Sequence, residues 1–200
     1  MFQRIDMTAW SRKEYFQHYY HSIPCSYSMT TNIDITGLKR TLAEAKASFA
    51  PAMIYLLAAE VNRHEEFRTS MDEDERVGVF DVMHPSYAVF HKETETFSCL
   101  WTQFDSDYRT FLQTMITIFS NTGECRELRL SPICRTMCLT FPISHGQAFP
   151  GLISICRKAL PTCCRFLPWG NISVRATNFF FRFPYRYIMR CATASTCADF

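Results

Sequence analysis

The chain holds six histidines and ten cysteines, the side chains best suited to take up a proton, attack a carbonyl or hold a metal. Spacing decides which of these they could do. The histidines stand at His18, His21, His64, His84, His91 and His145. Ser144-His145-Gly146 sets a hydroxyl next to an imidazole, but lone Ser-His neighbours are common and carry little weight. A zinc site wants paired C-x-x-C or C…H spacing. Cys163 and Cys164 are adjacent, and Cys134, Cys138 and His145 match no strong pattern. Cys25 alone reads as a small buried hydrophobe. Residue types by themselves therefore assign no base, nucleophile or metal.

The first half of the chain is regular enough to say what positions these groups. Ser11-Arg12-Lys13-Glu14 fits an S-x-x-E capping box that opens a helix through about His21, with Tyr15, Phe16, Tyr19 and Tyr20 as its apolar stripe. Tyr27, Met29, Thr31, Ile33 and Ile35 alternate as in a strand. Residues 36–49 pattern as an amphipathic helix with Leu38, Leu42 and Ala45 on one face. Pro51 suits the first turn of the next helix, which is apolar on most sides and so expected to be buried. Val77–Asp81 and Tyr87–His91 read as strands around a turn at His84-Pro85-Ser86, and Asp105–Leu112 as a short helix with Tyr108, Phe111 and Leu112 inward. Helices and strands interleave without a Gly-rich phosphate loop, which gives an α/β fold that is not a dinucleotide-binding one.

Two hundred residues suit one domain. The net charge of +2 suggests no polyanionic partner, yet it hides a split. Residues 1–113 carry eleven Lys+Arg and sixteen Asp+Glu, a net −5; residues 114–200 carry ten and three, a net +7. No acid lies between Glu127 and Asp199, and eight of the ten cysteines follow residue 113. Scattered cations and aromatics without a repeat argue against nucleic-acid binding. The opening MFQRIDMTAW lacks the apolar core of a secretory signal, and no run of about 18 apolar residues marks a membrane span. The expected compartment is cytoplasmic, with Cys25 and Cys99 reduced. After Gln113 the periodicity degrades, and prolines fall where neither helix nor strand can run far.

Five blocks in the first half, in order and spacing, carry a resemblance. Trp10-Ser11-Arg12-Lys13-Glu14-Tyr15-Phe16 resembles the W-x-R-[KR]-E-x-F opening of the chloramphenicol acetyltransferases. Pro24 to Thr30 with Ile33-Asp34-Ile35-Thr36, then Tyr55-Leu56-Leu57, then Val61-Asn62 with Glu66-Phe67-Arg68, continue the match. The most specific block runs from Val89-Phe90-His91 through Thr94-Glu95-Thr96-Phe97-Ser98. The resemblance implies a two-layer α/β sandwich of the CoA-dependent acyltransferase type. It implies transfer of acetyl from acetyl-CoA, a cosubstrate, to the primary hydroxyl of chloramphenicol, without a metal, by cytoplasmic homotrimers with active sites at subunit interfaces. Carried over by position, the drug pocket is His18, Tyr19, Ile23, Cys25, Tyr27 and Phe97. Arg12 supports the catalytic loop by pairing with the Asp of an H-H-x-V-x-D-G motif. That motif supplies the general-base His, and an N-x-S-x-x-P-W segment supplies the Ser that stabilises the oxyanion. His91 is structural in the family.

Neither catalytic motif stands in the printed chain. Both come back in a shifted frame. One permitted coding of Tyr187–Asp199, with its first two bases dropped, translates as HHAVCDGFHVCR. Thr140–Phe149, started one base earlier, can read NVSYIPWASF, and Thr114 onward can give YDNDIFEYG. All three use one offset, so residues 1–113 read as the N-terminal part of a single acetyltransferase domain and residues 114–200 as its frameshifted remainder. The printed second half is then expected to hold short, poorly packed elements and no catalytic residue. Two other readings stand beside this one: an inactive truncated pseudo-enzyme, and a basic-tailed binding module.

Overall fold

A buried helix organises the first half. Helix α3 (Phe49–Arg63) carries Ala52, Met53, Ile54, Leu57, Ala58 and Val61 inward. Their spacing of three to four residues makes one continuous apolar stripe, and Pro51 sits within its first turn, where a missing N–H costs nothing. In the computed structural model the described residues are 1–23, 26–72, 74–91, 94–121, 138–143, 171–175 and 178–188.

The remaining elements run as follows. Strand β1 (Phe2–Arg4) precedes helix α1 (Lys13–Gln17), which passes into a π-helical turn (His18–Ser22). Strand β2 (Ser26–Asp34) leads to α2 (Thr36–Glu44), α3 and α4 (Glu65–Arg68). Strands β3 (Thr69–Met71), β4 (Val77–Phe80), β5 (His84–His91) and β6 (Thr96–Trp101) precede α5 (Tyr108–Asn121). Three later strands are β7 (Cys138–Ile143), β8 (Asn171–Arg175) and β9 (Asn178–Ile188). They form three-stranded groups in the orders β1-β4-β3, β2-β9-β8 and β6-β5-β7, with β5 and β7 parallel and the other pairs antiparallel. Helix α3 packs against β5, and α2 against β9, which gives helices over sheet.

The core joins Ile54, Leu57 and Val61 of α3 to Phe80, Met83 and Tyr87 around β4 and β5, and to Phe111 and Met115 of α5. Asn62 fastens this arrangement. Its Nδ2 donates to the carbonyls of Ala58 (2.8 Å) and Met83 (2.9 Å), and its Oδ1 accepts the Met83 N–H at 2.7 Å. One side chain thus satisfies the backbone between β4 and β5 and ties it to α3. Arg68 does similar work from α4, donating to the carbonyls of Phe80 (2.6 Å) and Asp81 (3.2 Å).

Several expectations are corrected. The capping box does not form: Arg12 occupies the N-cap position of α1 and no side chain caps it. Asp6 governs the approach instead, its side chain accepting from Thr8 and its carbonyl from Ala9 and Trp10. Residues His84, Pro85 and Ser86 belong to β5 rather than a turn; Pro85 and Ser86 are fully buried there. Helix α2 ends at Glu44, with Lys46 at φ 51° beyond it, and Ala45 is exposed.

Of the second half, residues 114–121, 138–143, 171–175 and 178–188 are described, and the expectation for the rest of 114–200, Cys163 and Cys164 included, lies outside the described residues. Helix α5 runs through residue 121, well past Gln113, because Phe111 and Met115 keep the four-residue apolar spacing. Strand β9 pairs with β2 over nine residues, from Ser26↔Ile188 to Asp34↔Phe180. In that register Tyr27 pairs with Tyr187, Met29 with Tyr185, Thr31 with Phe183 and Ile33 with Phe181. A two-residue alternation therefore runs through 178–188, interrupted by a single proline, Pro184. Pro184 lies past the end of β8, where one flank of β9 has no described partner, and Pro142 is on β7 at the border of its group; both are positions that tolerate a missing donor.

Replacing Asn62 by Ala removes three hydrogen bonds and leaves the Met83 backbone unpaired. The expected loss is about 1–3 kcal/mol, read as a lower denaturant midpoint; an unchanged midpoint would contradict the clamp.

Candidate active site

The opening motif divides its residues between anchor and surface. Phe16 is buried with Met71 and Val77, and Trp10 and Tyr20 pack against them. Trp10 meets Phe16 at 5.6 Å between ring centroids, and Phe16 stacks on Tyr20 at 5.3 Å. These aromatics hold α1 and the following turn against β3 and β4. The predicted pocket residues of this segment face elsewhere. His18 is exposed, Tyr19 is half-buried against it in an edge-on contact at 5.0 Å, and Ile23 is 56% exposed.

The turn that carries them is π-helical. The Ile23 N–H donates to the His18 carbonyl at 2.9 Å, a bond spanning five residues instead of four. Such single turns occur often at functional sites. No feature of the residue types announced it. His18, Tyr19 and Ile23 are thus brought together on one turn. Tyr27 follows on β2 and Phe97 lies on β6 opposite Phe90. Cys25 and the side chains of Tyr27 and Phe97 fall outside the described residues, as do Cys134, Ser144 and His145. Arg12 is half-buried at the start of α1, and its carbonyl accepts the Phe16 N–H at 2.9 Å.

The β5–β6 hairpin is pinned by a side-chain contact. His91 Nε2 and the nearly inaccessible Ser98 Oγ are 2.8 Å apart. Beneath the sheet, Tyr87 is fully buried with its hydroxyl 2.6 Å from Thr102 Oγ1. Burial pushes its phenol up to about 12, the Thr102 hydrogen bond opposing, so it stays protonated and serves the core.

His84 accepts the Phe104 N–H at Nδ1, 3.1 Å away, which leaves its proton on Nε2. Burial lowers its pKa, helped by the amino-terminal charge. A groove of about 480 Å³ lies along α2, lined by Thr36, Lys39, Leu42 and Phe49 among others. Lys39 Nζ sits 5.4 Å from the Phe49 ring centroid. None of the predicted pocket residues lines this groove. Among the described residues no group of three His, Cys, Asp or Glu side chains is placed to hold a metal.

The arrangement has known counterparts. A solved dihydrolipoamide acetyltransferase, described as probable, from Listeria monocytogenes superposes with a TM-score of 0.61 at 12% identity, covering 94% of this chain and 87% of that one. The fold is therefore the α/β sandwich shared with that class of CoA-dependent acyltransferases. A solved chloramphenicol acetyltransferase fits better, with a TM-score of 0.81 over 99% of this chain and 95% of its own, at 19% identity. A chloramphenicol acetyltransferase from Clostridium perfringens is 51% identical over 112 residues, 56% of this chain and 52% of that protein. The family model for chloramphenicol acetyltransferase matches residues 1–147. The chain belongs to the chloramphenicol acetyltransferase family, and it spans about half the length of the curated relatives it matches.

The lowered pKa of His84 has a consequence for stability. The folded value lies below the unfolded 6.5, so the unfolded chain binds more protons below that pH. The contribution of His84 is complete above about pH 6.5 and is lost as pH falls. Unfolding midpoints followed from about pH 7 to pH 5 are expected to drop less in His84→Gln than in the parent chain; parallel slopes would contradict this.

Proposed function

We propose that the chain derives from a chloramphenicol O-acetyltransferase and keeps the drug-binding half of its site. The observation that carries the reading is a pairing of presence and absence. The family match is dense across the pocket segment, while the His motif and the oxyanion segment are missing from the printed sequence. In the complete enzyme an imidazole takes the proton of the drug's primary hydroxyl as that oxygen attacks the acetyl thioester of acetyl-CoA. A Ser hydroxyl stabilises the tetrahedral oxyanion, and the CoA thiolate leaves with the proton returned by the imidazolium. In this chain Tyr19, Ile23, Tyr27 and Phe97 would wall the nitrophenyl and dichloroacetyl groups, with His18 and Cys25 at the margin. Arg12 would orient a catalytic loop whose Asp the printed chain does not carry. The exposure of Ile23 and His18 suits a site completed by a neighbouring subunit, as in a cytoplasmic homotrimer.

Residues 114–200 are read as the same gene one frame out of step. The genetic code accounts for their composition. Apolar codons share thymine at the second base. The printed frame starts on that base, where Phe, Tyr, Cys and Ser codons begin. Aspartate and glutamate codons, which begin GA, become rare. Eight cysteines and the long gap between Glu127 and Asp199 follow. Two-residue alternation is a six-base period and survives the shift, which accounts for the alternation of aromatic and polar residue types along Phe181–Tyr187.

The printed 200-residue chain is expected to acetylate chloramphenicol at no more than trace rate, since general-base assistance alone is typically worth about 10²–10⁴-fold. Insertion of one base near codons 113–114 is expected to restore resistance in cells plated on chloramphenicol. A repaired protein that is soluble and trimeric yet gives no resistance would refute the frame reading.

A further inference from the structure

The connection between β6 and α5 is tied at both ends by oxygen acceptors. At its start the Thr102 N–H donates to the Pro85 carbonyl at 3.0 Å, and the Thr102 hydroxyl lies 2.6 Å from that of Tyr87. At its end the Ser106 carbonyl accepts from the Tyr55 hydroxyl, and Asp107 accepts the Thr110 N–H at 2.8 Å as α5 begins. Gln103, Phe104 and Asp105 span the interval as a short strap. Among the described residues, one hydrogen bond fastens this strap to β5. It runs from the Phe104 N–H to His84 Nδ1, at 3.1 Å.

That acceptor differs from the others in kind. An imidazole nitrogen accepts only while it is unprotonated, and in the imidazolium both ring nitrogens are donors. A proton on His84 Nδ1 would set two N–H groups against each other. Little around the ring compensates that charge. Among the described residues no carboxylate forms an ion pair with it. The amino-terminal charge bears on it from β1, itself paired with Asp81 at 3.1 Å. On β6 the Trp101 ring lies 5.7 Å away, on β7 Cys138 is its partner in register, and Asp105 of the strap accepts the Asp107 N–H at 2.7 Å. Burial and the amino-terminal charge hold His84 below its ordinary value, so the ring is neutral at about pH 7.

We propose that His84 is a proton-operated latch: protonation of its Nδ1 releases residues 103–105 from β5 while Thr102 and α5 stay in place. The anchors at either end do not titrate with it. Burial pushes the Tyr87 phenol up to about 12, and the Thr110 hydrogen bonds hold Asp107 below the usual carboxylate range. The Phe104 ring sits 6.0 Å from that of Tyr55 and 6.4 Å from that of Phe111. Release of the strap therefore loosens the aromatic cluster between α3 and α5 at one member only.

The experiment is a nuclear magnetic resonance titration of the full 200-residue chain from about pH 7 to about pH 5. The Phe104 amide proton is expected to lose its hydrogen-bonded shift with the same midpoint as the His84 ring signals, below the ordinary imidazole value. Contacts of the Phe104 ring with Tyr55 and Phe111 are expected to be lost over that range, while the Thr102–Tyr87 and Tyr55–Tyr108 contacts persist. His84→Asn keeps an acceptor oxygen near the place of Nδ1 and cannot titrate; its Phe104 amide is expected to stay unchanged with pH. Should that variant not fold, the shared midpoint in the parent chain decides. A Phe104 amide indifferent to the titration of His84, the same titration persisting in a folded His84→Asn, or joint loss of the Thr102, Phe104 and Phe111 signals would each overturn the proposal. A parent chain without a folded spectrum at about pH 7 overturns it together with the fold on which it rests.

Discussion

The described structure hangs on the burial of α3 and on the single amide that locks it in place. Six apolar side chains of that helix are buried, and four of them, Met53, Ile54, Leu57 and Val61, join the core shared with Phe80, Tyr87 and Phe111. Burial of that kind is worth roughly 25 cal/mol per Å² but has no direction; it would tolerate a helix slid by a turn. Asn62 supplies the direction. Its paired bonds to the Met83 backbone fix the height of α3 against the start of β5. From there the constraint passes along the sheet. With β5 fixed, its register with β6 places Phe97 opposite Phe90, and the His91–Ser98 bond keeps that register.

A second, smaller core positions α1 and the π turn. Trp10, Phe16 and Tyr20 are spent on packing against Met71 and Val77, which leaves the side chains between them to face outward. The family motif thus mixes two kinds of residue. Its aromatics at positions 10 and 16 are anchors, while His18 and Tyr19, a few residues on, sit in the π turn with His18 exposed and Tyr19 half-buried against it.

Much of this was legible in the sequence. β2, α3 and the β5–β6 block carry patterns of period two or 3.6 strong enough to be read directly, and the resemblance rests on them. Other features were not, for physical reasons. Ser11 looked like a cap, but Asp6 already organises the turns before α1. Pro85 looked like a turn residue, yet a proline is tolerated where its strand needs no donor, and Pro85 is buried within β5. The π turn leaves no compositional trace, since its surplus residue is set by the anchors on either side. Strand β9 alternates polar and aromatic residues, but Pro184 and the arginines masked the period.

The absent catalytic motif is the point on which the account turns, and it is a statement about nucleotides before it is one about protein. The most direct measurement is the base sequence of the gene across the codons for Tyr187 to Asp199. The account predicts that, read from the third base of codon 187, those nucleotides spell HHAVCDGFHVCR or a close variant retaining H-H-x-V-x-D-G. A sequence that yields no such motif in that frame would contradict it, and would leave the second half of this chain as an unrelated extension of a family fold.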